Sequence, residues 1–149
     1  NWRLEDGYAQ ADLGGAASSF LVTKKSYKDF QLRAEVWVDD TANSGIFIRC
    51  TNPKDIGTKT AYEVNIYDTR PDPSYGTGAI VDVAKVNPIH KAGGRWNTME
   101  IVANGSQLKV SMNGVVTSEA NNSKFSEGPI ALQSAGGIIK FRKLEIKPI

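Results

Sequence analysis

From Phe30 to Val38 every second residue is apolar: Phe30, Leu32, Ala34, Val36 and Val38 alternate with Gln31, Arg33, Glu35, Trp37 and Asp39. Successive side chains of a strand point to opposite faces, so a period of two marks a strand with one face buried. Leu108, Val110 and Met112 alternate with Gln107, Lys109 and Ser111 in the same way. Nowhere do apolar residues keep the i, i+3, i+4, i+7 spacing of a helix through several turns. The pattern predicts an all-β chain.

Turn chemistry then orders the strands. Asn104-Gly105 and Asn113-Gly114 supply the positive backbone angles of tight hairpins, so segments 96–103, 107–113 and 115–118 are predicted to run as a meander. Further strands are expected at 20–24, 45–51, 62–68, 78–83, 129–134 and 138–146. The last of these slips phase, because Ile139 and Phe141 share one parity while Leu144 and Ile146 share the other. One extra residue near Arg142-Lys143 returns both pairs to the core, which predicts a β-bulge there. About ten strands with Gly and Asn turns imply a jelly-roll sandwich of two antiparallel sheets.

The chain's 149 residues suit one domain, 1–149, with a full core. With 40% hydrophobic and 23% charged residues, disordered and collagen-like classes drop out. The formal charge of +2 is spread rather than striped, so no nucleic-acid partner is expected. No apolar run approaches the ~18 residues of a membrane span. Cys50, the one cysteine, continues the apolar alternation of Ile46 and Ile48 and is expected to be a buried thiol. The chain starts at Asn1-Trp2 without Met or a signal peptide, as in a trimmed or mature secreted form.

Chemistry concentrates on the strand Tyr62-Glu63-Val64-Asn65-Ile66-Tyr67-Asp68. Tyr62, Val64 and Ile66 point one way; an acid, an amide and a phenol point the other. With the apolar parity turned inward, the outer parity of the chain gathers Arg33, Glu35, Trp37, Phe47, Arg49, Glu63, Asn65, Tyr67, Gln133 and Arg142. Aromatic rings stack on the C–H faces of sugars, and carboxylates, amides and guanidinium groups bond their hydroxyls. A solvated face of cross-strand ion pairs accounts for the same pattern about as well. The loop 69–77, with Pro71, Pro73 and Gly76, is the expected wall of any site here.

Tyr27-Lys28-Asp29-Phe30, Asn43-Ser44-Gly45-Ile46-Phe47-Ile48-Arg49, the strand from Tyr62 to Asp68, Trp96-Asn97, Asn113-Gly114, Gly128-Pro129-Ile130-Ala131-Leu132-Gln133 and Phe141-Arg142 occur in that order along nearly the whole chain. Together they resemble the bacterial 3-keto-disaccharide hydrolase family. The resemblance implies a concanavalin A-like jelly roll, often exported to the periplasm or outside the cell, that acts on oxidised glycosides. The strand is also similar to the Glu-x-Asp-x-x-Glu motif of concanavalin-like glucanases, standing here as Glu63-x-Asn65-x-x-Asp68. An amide at the middle position and opposite parities for Glu63 and Asp68 speak against double displacement, which needs two carboxylates about 5–5.5 Å apart.

A ketone in the sugar acidifies the neighbouring C–H, so one carboxylate suffices. The resemblance and face parity then imply Glu63 as general base, Arg49 and Gln133 at the developing enolate oxygen, and Asp68 or water at the leaving group. Asn65, Tyr67, Gln133, Arg142, Trp37 and Phe47 are the implied sugar contacts. The chain departs from the family in having Ala135 for a common histidine, Asn65 for glutamine, Val81 for tyrosine and Lys143 for asparagine. Loss of the histidine opens a second reading, a lectin-like module on the same face. No cofactor is expected. His90 alone excludes a multi-histidine metal centre and is expected at the surface; Asp39-Asp40 and Asp6 are the weak calcium candidates.

Overall fold

The structure, a computed structural model, describes residues 2–12 and 18–149. Eleven strands run β1 (Trp2–Glu5), β2 (Tyr8–Ala11), β3 (Ser19–Val22), β4 (Phe30–Val38), β5 (Ser44–Ile48), β6 (Tyr62–Ile66), β7 (Trp96–Asn104), β8 (Gln107–Met112), β9 (Val115–Asn121), β10 (Ala131–Ser134) and β11 (Ile139–Pro148). They form a seven-stranded sheet in the order β1-β2-β11-β4-β7-β8-β9 and a four-stranded sheet in the order β3-β10-β5-β6. Every strand pair is antiparallel. The chain is thus an all-β jelly-roll sandwich. The described residues contain no helix long and apolar enough to cross a membrane.

Alternation fills the space between the sheets. Phe30, Leu32, Ala34, Val36 and Val38 of β4 lie in one core cluster with Ile46, Ile48, Tyr62, Val64, Ile66, Val110, Leu132 and Phe141. Cys50 is buried, in a smaller cluster with Phe47, Ala61 and Ala131, and burial pushes its thiol up to about 11. The meander β7-β8-β9 forms as expected, with Asn113 and Gly114 both at positive φ. In the other hairpin the turn is Gly105-Ser106, while Asn104 stays in the strand and pairs with Gln107.

The β-bulge lies where the phase slip puts it. Arg142 faces Glu35 and Glu145 faces Arg33, so Lys143 and Leu144 together oppose Ala34, with Lys143 at φ 52°. The extra residue returns Ile146 to the edge of the core but leaves Leu144 exposed.

Two expectations need correction. Segment 78–83 is not a regular strand, although it lies along the free edge of β6: Gly78 and Val81 donate to Asn65 O and Glu63 O, and Asn65 N–H donates to Ala79 O. At Val81 the chain turns back, and Ile80 and Ala84 exchange bonds. Across the sandwich, a second bulge leaves Thr117 of β9 unpaired, and the hydroxyls of Thr117 and Ser118 both donate to Gly78 O at 2.8 Å. The other correction is an addition: strands β1 and β2 extend the larger sheet beyond the strands expected from sequence.

Candidate functional site

The outer parity does not form one face. β4 and β11 belong to the seven-stranded sheet, whereas β5, β6 and β10 belong to the four-stranded one, and the core lies between them. Arg33, Glu35, Trp37 and Arg142 therefore stand on one side of the molecule. Phe47, Glu63 and Gln133 stand on the other.

On the seven-stranded side the aromatic faces are already occupied. The Lys140 ammonium stacks on Trp37 at 4.7 Å and on Tyr8 at 5.3 Å, and the Arg142 guanidinium lies 3.8 Å from the Trp96 ring centre. Arg142 Nε also donates to Glu35 Oε1 at 2.7 Å, holding Glu35 below the usual carboxylate range. Trp37 and Arg142, expected as sugar contacts beside Glu63, are members of this cation–aromatic ladder instead.

Glu63 sits where strand alternation puts it, on the outer face of β6, opposite Phe47 of β5, which in turn faces Ala131 of β10. One step along, Asn65, Gly45 and Gln133 form the neighbouring row. Gly45 has no side chain to fill that row. The position its Cβ would take lies 3.5 Å from Gln133 Oε1 and 3.6 Å from Glu63 Cγ, so the two side chains flank a buried notch no wider than a methyl group. Burial pushes the Glu63 carboxyl up to about 7; the positive charge of Arg70 works against that rise, and the negative charge of Asp82 adds to it. A carboxyl so placed takes or gives a proton near neutrality. Phe47 is buried and packs edge-on against Phe20 at 5.4 Å, forming an apolar floor beside Glu63.

The loop after β6, expected to wall a site, is fastened by Asn65. Its Nδ2 donates to Tyr75 O at 2.8 Å and its Oδ1 accepts from Ile66 N–H at 3.0 Å, leaving the side chain 2% exposed. Tyr75 closes a 3₁₀ turn, Pro73–Tyr75, capped by Asp72, and carries the Arg70 guanidinium 5.6 Å over its ring. Tyr67 follows the strand, half-buried, with its N–H donating to Thr77 Oγ1. Asn65 is thus a support for the wall rather than an exposed sugar contact.

Arg49 is not beside Glu63 as its parity suggested, and Asp68, which the motif resemblance implied and parity did not, is not beside it either. Regular pairing ends at Ile48, and Arg49 takes φ 52°, which turns its side chain out of the strand's alternation. The Arg49 guanidinium is 1% exposed and donates to the carbonyl oxygens of Lys28, Gly105 and Phe125 and to Asp29. Asp68 accepts from Thr77 Oγ1 at 2.6 Å and from the N–H groups of Ala92 and Gly93. Both are anchors of loops. The charge that acts on Glu63 comes from Arg70, and the second acid near it is Asp82, held at φ 61° in the turn along β6. Alternation across regular strands carried no sign of Gly45, Arg70 or Asp82.

Asp39 spends its carboxylate on Thr41 and on the N–H of Ile138, and among the described residues no three His, Cys, Asp or Glu side chains converge as a metal site. His90 is half-buried beside Asn113, and burial lowers its pKa.

A family model described as the 3-keto-alpha-glucoside-1,2-lyase-like domain matches residues 1–147. In structure the chain is similar to a candidate glycosyl hydrolase from Parabacteroides distasonis ATCC 8503, with TM-score 0.83 and 26% identity over 99% of this chain and 90% of that one. It is similar in fold to the carbohydrate-binding module CBM66 from Bacillus subtilis (TM-score 0.74, 18% identity, 99% and 91% covered). The Bacillus licheniformis β-glucanase shares the fold as well (TM-score 0.65, 12% identity, 100% and 82% covered). No curated protein matches the chain in sequence.

Proposed function

The chain belongs to the 3-keto-alpha-glucoside-1,2-lyase-like family, and from that membership we propose that it cleaves oxidised glycosides, 3-keto-disaccharides among them, with Glu63 as the general base. The observation that carries this reading is the Glu63 carboxyl, half-buried over the Gly45 notch and raised to about 7. A 3-keto group acidifies the C2–H. Glu63 takes that proton, and the electron pair passes into an enolate whose negative charge the Arg70 side of the site favours. Collapse of the enolate forms the C1–C2 double bond and expels the glycosidic oxygen with its electron pair. The proton on Glu63, or one from water, completes the alcohol that leaves. A carboxyl near 7 suits both halves of this exchange, and it removes the need for Asp68 as an acid. Addition of water across the double bond makes the net reaction a hydrolysis.

The test is product analysis by mass spectrometry after incubation with 3-keto-maltose and with maltose. Release of a free sugar or an unsaturated keto sugar from the oxidised substrate alone supports the reading. Saturable binding without product supports the second reading, a lectin-like module, which Ala135 favours because a family histidine is missing there. By family, residues 1–149 act as one such domain in the periplasm or outside the cell.

A further inference from the structure

The Gln133 side chain carries an unsatisfied polar atom. Its Oε1 is sealed from solvent and has no hydrogen-bond partner, alone with Trp2 Nε1 in this respect among the buried side-chain atoms of the described residues. A buried acceptor with no donor is costly, so its presence asks for an explanation. The neighbourhood supplies one. Oε1 lies 3.5 Å from the position a Cβ on Gly45 would take, and the stem of Glu63 borders the same position from the other strand at 3.6 Å. β10, β5 and β6 fix this spacing through paired backbones, with Gln133 facing Gly45 and Gly45 facing Asn65. A residue with a Cβ at position 45 would stand in the notch and press on Val64 O at 3.1 Å.

We propose that Gln133 is the specificity-determining residue of the Glu63 site: it turns its amide oxygen at the Gly45 notch to accept a hydrogen from the free hydroxyl on C2, the carbon whose proton Glu63 takes. The proposal rests on the carbohydrate reading above and narrows it to sugars unsubstituted at that position. The free protein keeps Oε1 unpaired, so turning it toward a donor breaks no hydrogen bond. A deoxy or O-methyl sugar offers no hydrogen there and leaves the amide as it was. A site built around such a bond discriminates strongly against the analogue that lacks it. Gln133 acts on recognition and not on the proton transfer itself.

The test is a binding series by isothermal titration calorimetry with a methyl 3-keto-α-glucoside and its 2-deoxy, 4-deoxy and 6-deoxy analogues, on the parent, Gln133→Leu and Gly45→Ala proteins. Thermal melts check that each variant folds. Expected is a loss of affinity of roughly ten-fold or more for the 2-deoxy analogue in the parent, and little change for the 4-deoxy and 6-deoxy analogues. Gln133→Leu should bind the parent sugar and that analogue equally, and Gly45→Ala should weaken all four. Equal affinity across the series in the parent, or unchanged discrimination in Gln133→Leu, overturns the proposal even if product is formed. Discrimination that depends on Gln133 without any product leaves the proposal standing and removes the catalytic reading. Absence of measurable binding to every sugar overturns both.

Discussion

Nε and Nη2 of Arg49 both donate to the carbonyl oxygen of Lys28, at 2.9 and 2.7 Å. Nη1 of the same guanidinium reaches Gly105 O and Phe125 O, so one side chain ties three loops at one end of the sandwich. Among the described residues the charge is balanced by Asp29 alone, whose carboxylate is part-exposed and also accepts from Gly105 N–H. A guanidinium presents its donors in a fixed planar fork, which an ammonium does not reproduce.

Arg49→Ala is therefore expected to cost stability: three buried or part-buried carbonyls lose their donor at once, on the order of 3 kcal/mol or more. Arg49→Lys should recover only part of it. Chemical denaturation of the three proteins measures this. A marked loss of turnover in Arg49→Lys with an unchanged midpoint would show that Arg49 serves the chemistry rather than the fold.

Asp68 offers a parallel case with the opposite charge. Asp68→Asn puts an amide NH₂ among three donors, the Thr77 hydroxyl and the Ala92 and Gly93 amides. One bond is lost and two donors face each other, at a cost of about 2 kcal/mol. The melting temperature should fall while kcat on an oxidised disaccharide stays within a few-fold of the parent. A hundred-fold fall in kcat with an unchanged melt would return Asp68 to the role of acid.

How far the sequence revealed this arrangement depended on whether the information was local. Period-two alternation located β4, β6 and β8, and the slip between Phe141 and Leu144 located the bulge, because inward and outward are properties of a strand alone. Parity does not say which outside a residue faces. That depends on β11 entering between β2 and β4 while β10 joins β5, pairings between segments far apart in sequence. Trp37 and Glu63 thus share a parity and stand on opposite sides. β1 and β2 were not legible because each is four residues long and β1 carries Leu4 almost fully exposed, so burial gives no period to read. Arg49 escaped for another reason: a non-glycine residue at positive φ ends the alternation at the last strand residue.

The cation–aromatic ladder predicts that Trp37 is a stabilising residue. Trp37→Ala removes the ring under Lys140 and should cost about 1–3 kcal/mol, combining lost burial with the lost cation–aromatic contact. Sugar affinity should stay within two-fold, since Glu63 lies across the core. Titration with the 3-keto sugar on the folded variant checks this, and a ten-fold loss would place a ligand on the seven-stranded face.

Glu63 should give stability and activity opposite dependences on pH. Its carboxyl is raised from 4.5 to about 7 in the folded protein, chiefly by burial. The folded state then holds the proton more tightly than the unfolded chain, so stability is highest below 4.5 and declines as pH rises from about 4.5 to 7. The full difference is on the order of 3 kcal/mol, since each pKa unit corresponds to about 1.4 kcal/mol. As a base, however, Glu63 works only when ionised, and kcat/KM should rise with pH through about 7. Glu63→Gln keeps the shape and removes the titration. It should be more stable than the parent at pH ~8, similar at pH ~4, and at least ~100-fold slower on the oxidised substrate, with binding largely kept. Denaturation midpoints across that range, beside a pH–rate profile, measure both slopes on the same two proteins. A parent whose stability is flat across this window would refute the raised carboxyl, and undiminished turnover in Glu63→Gln would remove it from the mechanism.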